Sequence, residues 1–116
     1  MNGETRLEVD RRLEPDRVIL GLSGELDLSA APQLAAEIAR AESDRVRTIL
    51  VLDVDALSFV DSSGLRVILA AHERALAEDG RAFALTEGSP QVKRLLEIAG
   101  VDEHLTTLAH ASAALS

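Results

Sequence analysis

Polar and apolar positions alternate along Arg6-Leu7-Glu8-Val9-Asp10, the two-residue period of a strand with one wet face. Arg11 to Asp16 is charged, contains Pro15 and reads as a turn. Val18-Ile19-Leu20-Gly21-Leu22 follows as a second strand, and the short connection pairs the two as an antiparallel hairpin. Ser23-Gly24-Glu25-Leu26-Asp27 breaks that strand and leads toward a helix. Ser29 is its expected N-cap, since a hydroxyl there accepts from an orphan backbone amide of the first turn. Ala31, Leu34, Ala35, Ile38 and Ala41 recur at helical spacing and make one buried stripe.

The charged stretch Glu42 to Arg47 ends that helix. Thr48-Ile49-Leu50-Val51-Leu52 is almost continuously apolar and short, the mark of a strand covered on both faces. Because it follows a helix, it is expected to lie parallel to an earlier strand. Asp53 to Val60 reads as a loop. Leu65, Ile68, Leu69, His72, Ala75 and Leu76 then mark a helix from about Ser62 to Asp79, with Gly80 as its stop. Arg81 to Thr86 is a further strand with Phe83 and Leu85 on one face. Ser89-Pro90 opens another helix, Ser as N-cap and Pro at the first helical position. Its buried stripe is Val92, Leu95, Leu96 and Ala99, and Gly100 closes it. Asp102 to Thr107 is read as a last short strand and the Ala-rich segment to Leu115 as a last helix. The expectation is an α/β fold of one domain over residues 1–116, with a mixed sheet of four to five strands and about four helices.

Composition changes this picture in two respects. The chain is 47% hydrophobic, but Phe59 and Phe83 are its only aromatics, so the core must be aliphatic. Its 20 acidic residues outweigh 12 basic ones, for a formal net charge of -8. That balance excludes a general nucleic-acid binder, which needs Lys and Arg to neutralise phosphates, and an anionic membrane surface. It favours solubility and a partner with a complementary positive face. Without cysteine there are no disulfides, no thiol catalysis and no Cys-based zinc site. No apolar run is long enough for a membrane span, and the first ten residues are too charged for a signal peptide, so a cytoplasmic location is expected.

One segment carries candidate chemistry. Asp61-Ser62-Ser63-Gly64-Leu65 sets two hydroxyls and a carboxylate at the mouth of a helix. In the structural reading they are caps for orphan amides. In the functional reading the partial positive charge at a helix start tolerates a phosphate on one of those hydroxyls. A phosphoserine there adds about -1.5 to -2 charges without melting the helix.

Leu57-Ser58-Phe59-Val60-Asp61-Ser62-Ser63-Gly64-Leu65 closely resembles the signature of STAS-domain anti-sigma factor antagonists. Gly24-Glu25-Leu26-Asp27 is similar to the family's loop after the second strand, and Ser89 to Gly100 to its late helix, so the resemblance spans nearly the whole chain. It implies a mixed sheet with helices packed mainly on one side. It also implies partner switching: the unphosphorylated protein captures an anti-sigma factor and so frees a sigma factor, with a role in transcription regulation and stress response. That anti-sigma factor is often a serine kinase, which phosphorylates the antagonist and dissociates it; a PP2C-type phosphatase resets the switch. The modified residue is the Ser directly after the Asp, here Ser62, with Ser63 and Gly64 matching the rest of the motif. Gly64 would allow the close backbone approach a kinase needs. Asp27 matches an acidic position beside the phosphorylation site, and its other reading is a turn residue before the first helix. Glu25, Asp27 and Asp61 are expected to meet the basic side of the partner and to oppose a phosphate on Ser62. Arg66 stands where family members frequently carry Gly; it is expected to contact the partner or pair with the phosphate.

Other chemistry is less well supported. Asp53-Val54-Asp55 after an apolar strand resembles the nucleophile motif of haloacid dehalogenase-like phosphatases, but Ala56-Leu57 follow and the later Lys and paired acids of that family are not evident. His72 falls on an apolar helix face as a packing residue, and His104 and His110 lack metal-ligand spacing. There is no P-loop and no G-x-S-x-G elbow. The expectation is a monomeric regulatory protein rather than an enzyme, with no metal and no cofactor. The alternatives are a STAS module of another regulatory or transport-associated complex, and a nucleotide-binding module.

Overall fold

The computed structural model describes residues 6–100 and 105–115. Five strands form one sheet in sequential order, β1 (Leu7–Leu13), β2 (Arg17–Leu26), β3 (Ile49–Val60), β4 (Ala82–Thr86) and β5 (Thr106–Leu108). β1 and β2 are the expected antiparallel hairpin, and every later neighbour pair is parallel. The parallel connections are α1 (Ala31–Glu42), α2 (Ser62–Ala77) and α3 (Pro90–Ile98). Right-handed crossovers that advance in one direction along a sheet put every helix on the same face. The packing agrees. One core holds Leu20, Leu22, Leu52 and Leu85 against Leu34 and Ile38 of α1, Ile68 of α2 and Val92 and Leu96 of α3.

The opposite face carries a second, smaller cluster of Ile19, Val51, Ala84, Leu108 and Ala111. It is covered by the chain after β5. The expected Ala-rich helix is absent from that segment: residues 109–113 are turns and bends. The buried guanidinium of Arg17 accounts for this irregular path, donating to the carbonyl oxygens of Ala111 at 3.0 Å and Ala113 at 2.8 Å. Carbonyls committed to Arg17 are engaged from outside the segment, and this long-range tie prevails over the helix propensity of alanine. The described residues therefore hold three helices where about four were expected. The last strand is also shifted, covering 106–108; residues 101–104, which include His104 and the start of the expected strand, lie outside the described residues.

Three stretches read as turn, break or loop are strand. β1 runs on through Arg11-Arg12-Leu13, paired with Leu20, Ile19 and Val18, so the expected turn is confined to residues 14–16. β2 runs on through Ser23-Gly24-Glu25-Leu26, and β3 runs on through Asp53 to Val60. The extensions of β2 and β3 pair with each other, with register shifts between Gly21 and Ser23 and between Gly24 and Glu25. Gly24 has φ +93°, and a Cβ there would overlap the Arg6 carbonyl oxygen, so the bulge needs glycine. The acids of β3 are tolerated because each is bonded. Asp53 Oδ2 accepts from Arg12 at 3.0 Å, and Asp55 Oδ1 accepts from the Gly88 amide at 3.0 Å.

Candidate functional site

β2 and β3 end side by side, at Leu26 paired with Val60, and α1 and α2 begin just beyond them. This is the carboxyl end of the parallel strands, where open α/β sheets place their sites. The Asp61 amide donates to the Leu26 carbonyl at 3.1 Å, holding the two strand ends together.

Asp61 is the N-cap of α2. Its Oδ1 accepts from the amides of Ser63 at 2.9 Å and Gly64 at 3.1 Å, satisfying two orphan donors of the first turn. Its Oδ2 accepts from the Leu28 amide at 3.1 Å, in the turn between β2 and α1. One carboxylate thus joins two loops. Ser62 is the first residue of α2; it is exposed, and its hydroxyl has no hydrogen-bond partner among the described residues. Of the two hydroxyls in this segment, Ser63 is the less exposed.

Gly64 is buried, and a Cβ there would sit 2.5 Å from Leu26 Cγ and 3.0 Å from the Leu26 carbonyl oxygen. The close approach that requires glycine is therefore inward, of α2 onto the end of β2. The expectation that Gly64 opens backbone to an outside enzyme is replaced by this packing reason.

Asp27 begins the turn into α1. Its Oδ1 accepts from the Ser29 hydroxyl at 2.7 Å and from the amides of Ser29 and Ala30, each at 3.1 Å. The Ser29 hydroxyl, with support from those amides, holds the Asp27 carboxyl below its ordinary pKa. Ser29 was expected to cap α1, but the residue at that position is Ala30, which makes no side-chain cap. Ser29 donates to Asp27 instead, and the carboxylate collects the free amides.

Glu25 lies on β2 beside Phe59 of β3 and forms an exposed ion pair with Arg6 at 3.2 Å. Arg66 is exposed on α2 and makes no ion pair among the described residues. The site thus gathers Asp27, Asp61, Ser62, Ser63 and Gly64 around two loop ends, with Glu25 on the adjoining strand and Arg66 one turn along the helix.

The pattern of apolar residues did not reveal Leu28 and Phe59 as part of this surface. Leu28 is 72% exposed and Phe59 is 42% exposed, both next to residues of the site. A lone leucine in the polar turn Asp27-Leu28-Ser29 was the available signal. By contrast, a cavity of about 250 Å³ near the far end of α2 is lined by Arg45, Arg74 and Arg81, each already paired with Glu42 or Glu78. His72 packs beside Phe83, with ring centroids 6.3 Å apart. No group of metal-ligating side chains is assembled among the described residues.

An exposed hydroxyl at the tip of a helix, at the carboxyl end of the parallel strands, marks a small α/β domain whose candidate site is a surface. The chain belongs to the STAS domain family, whose model matches residues 7–114. It is 32% identical to an anti-sigma F factor antagonist of Paenibacillus polymyxa over 95 residues, 82% of this chain and 80% of that protein. Its fold superposes on an anti-sigma factor antagonist from Mycobacterium paratuberculosis with a TM-score of 0.81 at 23% identity, covering 90% of this chain and 87% of that one. It also matches unphosphorylated SpoIIAA, an anti-sigma factor antagonist, with a TM-score of 0.69 at 26% identity over 88% of this chain and 87% of that one. The match to phosphorylated Bacillus SpoIIAA has a TM-score of 0.63 at 25% identity, over 88% and 90%.

Proposed function

We propose that this chain is an anti-sigma factor antagonist whose binding surface surrounds Ser62 and whose affinity is set by phosphorylation of that residue. The observation that carries the reading is the Ser62 side chain, exposed at the first position of α2 and free of hydrogen bonds among the described residues. Its modification therefore breaks no contact described in the fold. The names of the relatives support the partner class, and SpoIIAA has been solved both with and without phosphate.

In the unmodified state Leu28 and Phe59 supply apolar contact, and Glu25, Asp27 and Asp61 supply negative charge toward a basic face of the anti-sigma factor. Docking releases the sigma factor. The anti-sigma factor acts as a serine kinase: the γ-phosphoryl of ATP passes to Ser62 Oγ, the hydroxyl proton leaves to a base of the kinase, and ADP departs. The new dianion stands against Asp61 and Asp27, and like-charge crowding at a desolvating interface ejects the partner. A PP2C-type phosphatase hydrolyses the ester and restores the hydroxyl. The chain itself catalyses nothing in this cycle.

The test is incubation with ATP and the serine-kinase anti-sigma factors of the same genome, read by mass spectrometry. One phosphate at Ser62, lost in Ser62→Ala, is expected, and Ser62→Asp should weaken the complex at least tenfold by calorimetry. Ser62→Ala should melt with the wild type, since Asp61 caps the helix. Modification elsewhere, or none by any candidate, would sink the phosphorylation switch and point to a STAS module in another assembly.

A further inference from the structure

We propose that Arg66 is the intramolecular counter-ion of the phosphate on Ser62, a clamp contained within one turn of α2. The inference rests on Ser62 being the modified residue and adds the means by which the modified state is held.

The two positions are four apart in a regular helix, so their side chains rise from the same face, with Cβ atoms roughly 5–6 Å apart. The anionic partner stands on the N-terminal side, the more favourable order for such a pair. Both residues are exposed. Arg6, Arg12, Arg17, Arg45, Arg47, Arg74, Arg81 and Lys93 are all engaged in ion pairs. Arg11, Arg40, Arg66 and Arg94 make no ion pair among the described residues, and of these only Arg66 lies on α2. The positions three and four away from it are Ser62, Ser63, Leu69 and Ala70, with no carboxylate among them. Nothing on its own helix competes for the guanidinium before phosphorylation.

The backbone offers the phosphate less than a bare helix start would. The amides of Ser63 and Gly64 already donate to Asp61 Oδ1, and the Leu65 amide donates to the Asp61 carbonyl. Of the first-turn amides only that of Ser62 has no acceptor among the described residues, so a side-chain cation adds what the backbone no longer supplies. Nearby carboxylates oppose it: Asp61 on the same turn and Asp27 in the adjoining one, while Glu25 is paired with Arg6 and Glu87 with Lys93. A planar guanidinium meets phosphate oxygens through two parallel N–H bonds, a geometry an ammonium does not reproduce. Phosphorylation then changes the docking surface twice, adding a dianion and withdrawing a cation that was open to the partner.

The experiment uses the full chain with phosphoserine genetically encoded at position 62, as wild type, Arg66→Gln and Arg66→Lys, titrated by ³¹P NMR. The clamp predicts a second phosphate pKa lower by about 0.3 unit or more in the wild type than in Arg66→Gln. Arg66→Lys should keep part of the difference, and 1 M salt should erase most of it. Coincident titrations of wild type and Arg66→Gln would overturn the clamp. Because the phosphoserine is encoded, that outcome is separate from failure of every kinase to modify Ser62, which would overturn the functional reading instead.

Discussion

At Gly64 the spacing between α2 and the end of β2 leaves no room for a side chain, since a methyl would lie 2.5 Å from Leu26 Cγ. Gly64→Ala should therefore cost about 1–3 kcal/mol of stability, as overpacked core substitutions do. Urea unfolding would show it as a lower midpoint at an unchanged slope. This is larger than the helix propensity gained by replacing glycine, about 1 kcal/mol, and of opposite sign. Much of this neighbourhood was legible beforehand: an Asp and two Ser before an apolar helical stripe announce a capped helix start. Which side chain does the capping was not. Asp61 alone takes the α2 amides that the Asp61-Ser62-Ser63 cluster was expected to share, and Asp27 collects amides before α1 where Ser29 was the expected cap. The reason is that an ionised carboxylate accepts more strongly than a hydroxyl and has two oxygens to offer.

At the scale of elements, long periodic segments were readable. α1 and α3 lie where apolar spacing puts them, and Ser89 caps α3 by accepting from the Val92 amide at 3.2 Å. The β1–β2 hairpin is present as expected, with both strands longer than their apolar runs. The second half of β3 and the end of β2 were hidden because Asp53, Asp55, Gly24 and Glu25 are poor strand formers in isolation. Their pairing depends on partners distant in sequence, Arg12 for Asp53 and Gly88 for Asp55. The segment after β5 failed for a similar reason, its path being set by Arg17, 94 residues upstream of Ala111. Arg17→Met keeps most of the apolar stem but removes both bonds to that segment. It should cost about 2–3 kcal/mol, the scale for hydrogen bonds to a charged donor. Hydrogen exchange should quicken at Ile19 and Val51, beneath the released segment.

For the molecule as a whole, acidity is the condition to watch. The Arg17 guanidinium holds the Asp16 carboxyl below its ordinary value, the Ser29 hydroxyl does so for Asp27, the Arg47 amide for Asp44, and the Arg81 guanidinium for Glu78. A carboxyl with a depressed folded pKa contributes stability that is fully present above its unfolded value. That contribution is lost as pH falls through the folded one. Melting temperature should thus vary little between about pH 7 and 5 and fall below about pH 4, where these carboxyls take up protons. Thermal melts at pH 7, 5, 4 and 3 would check this; a steady rise in melting temperature to pH 3 would mean that relief of the net charge of -8 outweighs the paired carboxylates.

The bond from the Leu28 amide to Asp61 gives the surface an unusual economy of communication. The turn before α1 and the first turn of α2 come from opposite sides of a long crossover, yet they share the Asp61 side chain. A molecule that pulls on the Leu28 turn therefore pulls on the cap of α2 as well, without touching the helix itself.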